Sequence, residues 1–248
     1  LFKKYKCNGV PHLLYLDSSG NEVDRIIGYL PSNEYLLRIK DIINRKNTLH
    51  DYLARYEKGD VNAEIIAGIA MKYEDRQEDD KAAQYYRDLI KRYPDSISEY
   101  FTQAEYFIAS YDFKNGDDKS LKNYIINNPD SPFIIDAFNE MIYYYANSKQ
   151  LDNELVIYKE MLVLFPQNPR VLNSYAWRMA EIEMNLEDAL TKARIAVELT
   201  KEDIDTQAGI IDTEAEVLWK LKRYNEAIDA INKSIKIDPE NGYYKDQK

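Results

Sequence analysis

Cysteine, histidine, glycine and proline are all scarce in this sequence, and each scarcity excludes a class of function. The single cysteine, Cys7, cannot form an intrachain disulfide, and the two histidines, His12 and His50, are too few to complete a zinc or iron site with it. The eight glycines are scattered, so the chain has neither a glycine-rich phosphate loop nor a Gly-x-Ser-x-Gly nucleophile elbow. We therefore expect no metal, no cofactor and no catalytic residue within this chain.

Surplus positive charge and long apolar runs are also missing. The formal net charge is −10 over 248 residues, and the sequence offers no basic stripe of the kind that holds nucleic acid. No apolar run approaches the ~18 residues that a membrane-spanning helix needs. The sequence thus predicts neither a nucleic-acid partner nor a membrane span.

The first part of the chain has a mixed α/β pattern. An apolar run at 12–16 follows Pro11, turn-forming residues occupy 17–21, and residues 22–27 nearly alternate as a half-buried strand would. This pattern predicts a β-hairpin. Ser32 is expected to cap a following helix. The apolar face of that helix would include Leu36, Leu37, Ile39, Ile42 and Ile43.

This order of elements resembles the C-terminal half of a thioredoxin fold. The resemblance is carried by the hairpin and by two segments, Lys4-Tyr5-Lys6-Cys7-Asn8-Gly9-Val10-Pro11 and Ile27-Gly28-Tyr29-Leu30-Pro31. It covers residues 1–46 and implies that Pro11 is cis and that Val10 offers backbone hydrogen bonds to a bound peptide. The family's redox-active Cys-x-x-Cys, which precedes this proline, is absent from the sequence. Cys7 stands instead at a position that is normally apolar and packed, and His12 is expected to be a half-exposed strand residue.

The rest of the chain has a helical pattern that repeats. Pro94, Pro129, Pro166 and Pro239 are separated by 35, 37 and 73 residues, and the last interval is close to two units of about 36. Small, aromatic, large and proline residues recur at fixed places within the units, most clearly in the last one, at Ala215, Leu218, Tyr224, Ala227, Ile231 and Pro239. This period and these positions resemble the tetratricopeptide repeat family, whose unit is a pair of helices.

The resemblance predicts a mainly α fold, an α-solenoid of about five repeats in a domain that covers 63–248. The repeats fall at about 63–96, 98–131, 135–168, 169–203 and 208–241. A linker at 47–62, with a lead-in helix at 49–56, joins this domain to the thioredoxin-like piece at 1–46. Two middle repeats depart from the family pattern, because Asp117 and Glu154 stand where a small residue is expected.

The family resemblance also implies a concave groove lined by the first helix, helix A, of each repeat. The family's groove positions fall on Tyr106, Asn139, Tyr143, Asn173, Trp177 and Asp212, with Glu216 one turn beyond the last. Amide side chains can pair with a peptide backbone, and rigid aromatic rings supply contact area at low entropic cost. Because Asp212, Glu216 and the net charge are acidic, a neutral or basic partner segment is favoured.

Three functions fit these features. The first is a non-catalytic scaffold that binds a partner polypeptide in the groove. The second is a thiol–disulfide oxidoreductase whose Cys-x-x-Cys lies upstream of this chain, with the repeats as a docking arm. The third is self-assembly through the unpaired strand edges of the hairpin. Many bacterial proteins that resemble this arrangement are exported, so the resemblance implies an extracytoplasmic, periplasmic location.

Overall fold

The computed structural model describes residues 3–7, 9–94 and 98–247, apart from the side chain of Asp205. Contacts within the chain divide it into two compact units, Leu1–Glu140 and Met141–Lys248. No helix in the described ranges is long and apolar enough to cross a membrane.

The first unit begins with the predicted hairpin. Strand β1 (His12–Leu16) pairs antiparallel with β2 (Glu22–Ile27), with His12 opposite Ile27. The turn is held by Asp17, whose carboxylate accepts the backbone N–H groups of residues 19 and 21 at 2.9 Å. The Val10–Pro11 peptide bond is cis, as the thioredoxin resemblance implies, while that resemblance itself stays a prediction.

Two helices follow the hairpin, α1 (Ser32–Ile43) and α2 (Leu49–Glu57). The second confirms the lead-in helix. The capping prediction for Ser32 is wrong, because Pro31 occupies the N-cap and no side chain caps α1. The predicted apolar face is only partly correct: Ile42 is buried, but Leu36, Leu37 and Ile43 are exposed. Tyr35, Ile39 and Ile42 are spaced four and three residues apart and form the packed stripe, whereas Leu36 and Ile43 lie to one side of it.

Helix pairs occupy every predicted repeat. In the first unit these are α3 (Ala63–Glu74) with α4 (Asp79–Arg92), then α5 (Glu99–Lys114) with α6 (Ser120–Asn127). Their core includes Ile65, Ile66, Ile69, Tyr86 and Leu89. Helix α2 packs closely on α3, since a Cβ atom added at Gly68 would lie 2.7 Å from the ring of Tyr52. Glycine at this position therefore permits the close approach of the lead-in helix.

Helix α7 (Ile134–Asn147) spans the division between the units, and the second unit continues with the remaining pairs. These are α8 (Leu151–Leu164), α9 (Pro169–Ile182), α10 (Leu186–Leu199), α11 (Ile204–Lys220), α12 (Tyr224–Ile237) and the short terminal α13 (Gly242–Gln247). Alanines at 176, 180, 189 and 193 are fully buried between α9 and α10 and allow their axes to approach. The mainly α architecture is confirmed; the last pair begins at Ile204, ahead of the predicted 208.

A buried charge cluster joins the hairpin to α1 and α3. Asp24 in β2 is 0 % exposed, and its carboxylate pairs with Arg38 of α1, with Lys72 of α3 at 3.1 Å and with Arg76 at 3.6 Å. Glu22, on the same side of the strand, pairs with Arg76 at 2.9 Å. Partial alternation along β2 indicated a half-buried strand, but its polar side faces this cluster instead of solvent.

The departure of Glu154 from the repeat pattern has a structural explanation. Glu154 is 1 % exposed in α8, and both of its carboxylate oxygens accept hydrogen bonds from Arg178 of α9, at 2.6 and 3.1 Å. A bidentate guanidinium pair is the arrangement that best compensates a buried carboxylate. The large acidic side chain is therefore accommodated at a position where the family has a small one.

Candidate peptide-binding surface

The predicted groove residues of the first unit, Tyr106 and Asn139, lie in different environments. The Tyr106 ring stacks on Phe133, with centroids 4.9 Å apart and planes at 5°, and it also contacts Tyr124. Its hydroxyl donates to Glu140 at 3.4 Å, and burial raises the pKa of Tyr106. Asn139 is exposed on α7. Tyr106 is thus a packed side chain within an aromatic cluster, with limited surface left for a ligand.

In the second unit, α9 presents two predicted groove residues on one face. Asn173 and Trp177 are one helical turn apart, and the indole is 37 % exposed. The Oδ1 atom of Asn173 is buried and accepts no hydrogen bond from any described residue. Tyr143, on the part of α7 that belongs to this unit, is largely exposed. The exposed indole, one turn from this unsatisfied and inaccessible amide oxygen, supplies apolar contact area for a ligand.

The next helix A, α11, packs against α9 and carries the last predicted groove residue, Asp212. Asp212 is only 7 % exposed because the terminal helix α13 lies over it, and Tyr243 hydrogen-bonds to its carboxylate. Burial, with the neighbouring Glu216 carboxylate, raises the pKa of Asp212 to about 6. Lys220 connects the two helices, since its ammonium lies 3.1 Å from Glu183 after α9 and 3.8 Å from Glu216.

A cavity of about 300 Å³ opens beside Asp212, between α11, α12 and α13. We call it the Trp219 pocket. Its walls include Asp212, Glu216, Trp219, Tyr224, Ile228 and Ile231. Trp219 is 54 % exposed and Tyr224 is 52 % exposed, which is costly for aromatic rings of this size. Sequence reasoning missed Trp219, although it is one of only two tryptophans and follows Glu216 by three residues, on the same helix face.

The described residues of the N-terminal segment, 3–7 and 9–46, form no comparable site. Val10 is exposed before the cis bond, and Cys7 is partly buried without a disulfide partner. His12 lies in β1 with intermediate exposure, as expected, but both of its imidazole nitrogens are buried without a hydrogen-bond partner among the described residues. Burial, followed by the positive charge of Arg25, lowers the pKa of His12. A neutral, partly buried imidazole is consistent with a structural role.

Comparison with known proteins agrees with the repeat architecture. The tetratricopeptide repeat family model matches residues 68–96. The chain resembles BtubC (BKLC) from P. vanneervenii, with 14 % identity, 76 % of this chain and 86 % of that chain covered, and a TM-score of 0.53. YrrB, described as a TPR protein with an unusual peptide-binding site, aligns with 14 % identity over 78 % of this chain and 95 % of its own, with a TM-score of 0.49. No curated protein sequence matches the chain. The family match is limited to residues 68–96, and the likeness to BtubC shows a similar fold.

Proposed function

We propose that this tetratricopeptide repeat protein is an interaction scaffold, which binds an extended segment of a partner polypeptide on the α9 and α11 surface of its second unit. Tetratricopeptide folds generally mediate protein–protein interactions. The observation that carries the proposal is the buried, unpaired Oδ1 of Asn173, one turn from the exposed Trp177. Leaving a buried acceptor unpaired costs about 1–3 kcal/mol, and a rotation of the Asn173 side chain to the surface would let a backbone N–H of the bound segment remove that cost.

The surface also indicates the character of the partner. Trp177 supplies a rigid apolar contact area that loses little side-chain entropy on binding. Glu216 on the adjacent helix and the net charge of −10 repel an acidic segment and favour a neutral or basic one.

The proposal is tested with an array of immobilised random nonapeptides, probed with fluorescently labelled protein. The wild type should select peptides, and Trp177→Ala should lose them while its helical circular dichroism is unchanged. Tyr29→Ala serves as the control, because Tyr29 is an equally aromatic, highly exposed residue in the first unit. Retained selection by Trp177→Ala would show that binding takes place elsewhere.

A second variant separates a binding role of Asn173 from a structural one. Asn173→Leu removes the unpaired oxygen at similar volume, so the free energy of unfolding should stay the same or rise. Peptide selection should nevertheless weaken, because the acceptor for the backbone N–H is gone. A variant that loses both stability and binding would indicate that Asn173 is structural.

The thiol–disulfide oxidoreductase with an upstream Cys-x-x-Cys stays the alternative. Residues 1–46 would then be the second half of its redox domain, with Val10 and Pro11 beside the substrate. It predicts that the protein as expressed from its full gene reduces insulin disulfides with dithiothreitol, and that a Cys-to-Ser change at the upstream pair abolishes this reduction.

A further inference from the structure

We infer that the Trp219 pocket binds the side chain of an arginine in a partner polypeptide, an inference that rests on the proposed function and specifies part of its ligand. The pocket lies within the second unit, against the side of α11 that faces α12 and α13. It is therefore a separate contact from the Asn173 and Trp177 surface of α9.

The acidic side chains of the pocket favour a positively charged ligand group. Two of its wall residues, Asp212 and Glu216, carry carboxylates one turn apart, and no described residue that lines the pocket is basic. Asp212 accepts a hydrogen bond from the neutral Tyr243, and the nearest described cation, Lys220, is 3.8 Å from Glu216 and shared with Glu183. A positively charged ligand group would compensate these partly buried carboxylates.

The aromatic walls of the pocket favour a guanidinium over an ammonium group. Trp219 and Tyr224 each present about half of their surface to solvent, from α11 and from the start of α12. Lys220 already places its ammonium 5.1 Å from the centroid of the Trp219 ring, which shows that this indole accepts a cation. A guanidinium stacks on aromatic faces, is weakly hydrated and binds carboxylates through two parallel hydrogen bonds, so it fits these walls better than an ammonium.

The size of the pocket agrees with a single side chain. Its volume of about 300 Å³ is at the lower limit of small-ligand sites. The aliphatic stem of an arginine would contact Ile228 and Ile231 of α12 while its head reaches the carboxylates. A partner backbone would therefore stay outside, where it can continue along the surface.

Fluorescence offers a direct test because the chain has only two tryptophans. In the full chain carrying Trp177→Phe, Trp219 is the sole tryptophan and reports on the pocket alone. We expect the acetylated, amidated peptide Gly-Gly-Arg-Gly-Gly to change its emission saturably. The same peptide with citrulline, which keeps the shape but lacks the charge, should bind about tenfold more weakly.

Matched variants assign the effect to the carboxylates. Glu216→Gln should weaken the arginine peptide about tenfold and leave the citrulline peptide unaffected. Asp212→Asn should act in the same direction, and its thermal melt shows whether loss of the Tyr243 contact unfolds α13. Glu198→Gln is the control, because Glu198 is an exposed glutamate on α10 that pairs with Lys201. Its affinity for the arginine peptide should equal that of the parent.

Several outcomes would overturn the inference. Equal binding of the citrulline peptide would make the pocket an apolar cleft. Tighter binding of the same peptide with lysine in place of arginine would make it an ammonium site. A change in Trp219 emission with protein concentration alone would identify a second copy of the chain as the occupant. The Trp177→Phe background alters the α9 surface but leaves the Trp219 pocket intact. Arginine binding by the pocket and peptide selection by the α9 surface can therefore fail independently, and the two experiments distinguish these failures.

Discussion

The buried pair of Glu154 and Arg178 allows a prediction in which the loss of stability differs in size between the two partners. Glu154 is almost fully buried, whereas the Arg178 side chain is 26 % exposed and also contacts Glu181 at 3.2 Å. Arg178→Ala therefore leaves a carboxylate buried without a partner, which costs about 3–5 kcal/mol. Glu154→Ala leaves the guanidinium with solvent and a second carboxylate, and restores the small residue of the repeat pattern, so it should cost only about 1 kcal/mol.

The double variant completes the cycle. With both side chains removed, no unpaired charge is buried, so the unfolding free energy should lie within about 1 kcal/mol of Glu154→Ala alone. The coupling energy between the two residues is then about 2 kcal/mol or more. Acidification should also recover part of the stability lost in Arg178→Ala, because protonation neutralises the buried carboxyl group in the folded state.

Urea unfolding followed by circular dichroism measures the global effect. Because long repeat arrays can unfold in parts, hydrogen exchange of the α8 and α9 amides should accompany it. Lys201→Ala is the control, since Lys201 and Glu198 form an equally short pair of 2.5 Å with both side chains at least 60 % exposed, and its removal should cost about 0–1 kcal/mol. Equal costs for Arg178→Ala and Glu154→Ala would refute the reasoning from burial.

Three further predictions concern other parts of the chain. Asp24→Asn, which leaves the partly buried Arg38 and Lys72 without their shared carboxylate, should lower the unfolding free energy of the first unit by about 3–5 kcal/mol in urea titrations. Gly68→Ala should lower it by about 1–3 kcal/mol, since the new Cβ would lie 2.7 Å from the Tyr52 ring, and Tyr52→Leu in the same chain should reduce the loss in thermal melts. The raised pKa of Asp212, about 6 against about 3.9 unfolded, means that the folded state holds a proton that the unfolded state releases. Stability should therefore fall by on the order of 2 kcal/mol as the pH rises from about 4 to about 6, and Asp212→Asn should flatten that slope.

The parts of the fold that sequence predicts are those set by local chemistry. The hairpin follows from its turn residues, and the helix pairs follow from apolar periodicity and from the spacing of the prolines. The charge cluster could not be predicted in this way. Asp24 meets Arg38 from α1 and Lys72 from α3, so its burial depends on long-range packing that no local pattern in β2 encodes. The alternating residues of β2 would predict a solvated strand face whether or not Arg38 and Lys72 packed against them.

In the candidate site too, the sequence predicts where a side chain lies along its helix but not whether that side chain is exposed. The repeat pattern places Tyr106 and Trp177 at one groove position and Asp212 at the other, one turn earlier in its helix, but the exposure of each depends on what packs over it. Phe133 covers Tyr106, α13 covers Asp212, and Trp177 stays open. Helix α13 also creates a feature that the repeat pattern does not predict. It buries Asp212 at the edge of a cavity whose walls include Trp219 and Tyr224. A residue assigned to the groove by its position thereby becomes a wall of a pocket for a single cationic side chain, and the arginine and citrulline peptides distinguish this pocket from an open groove.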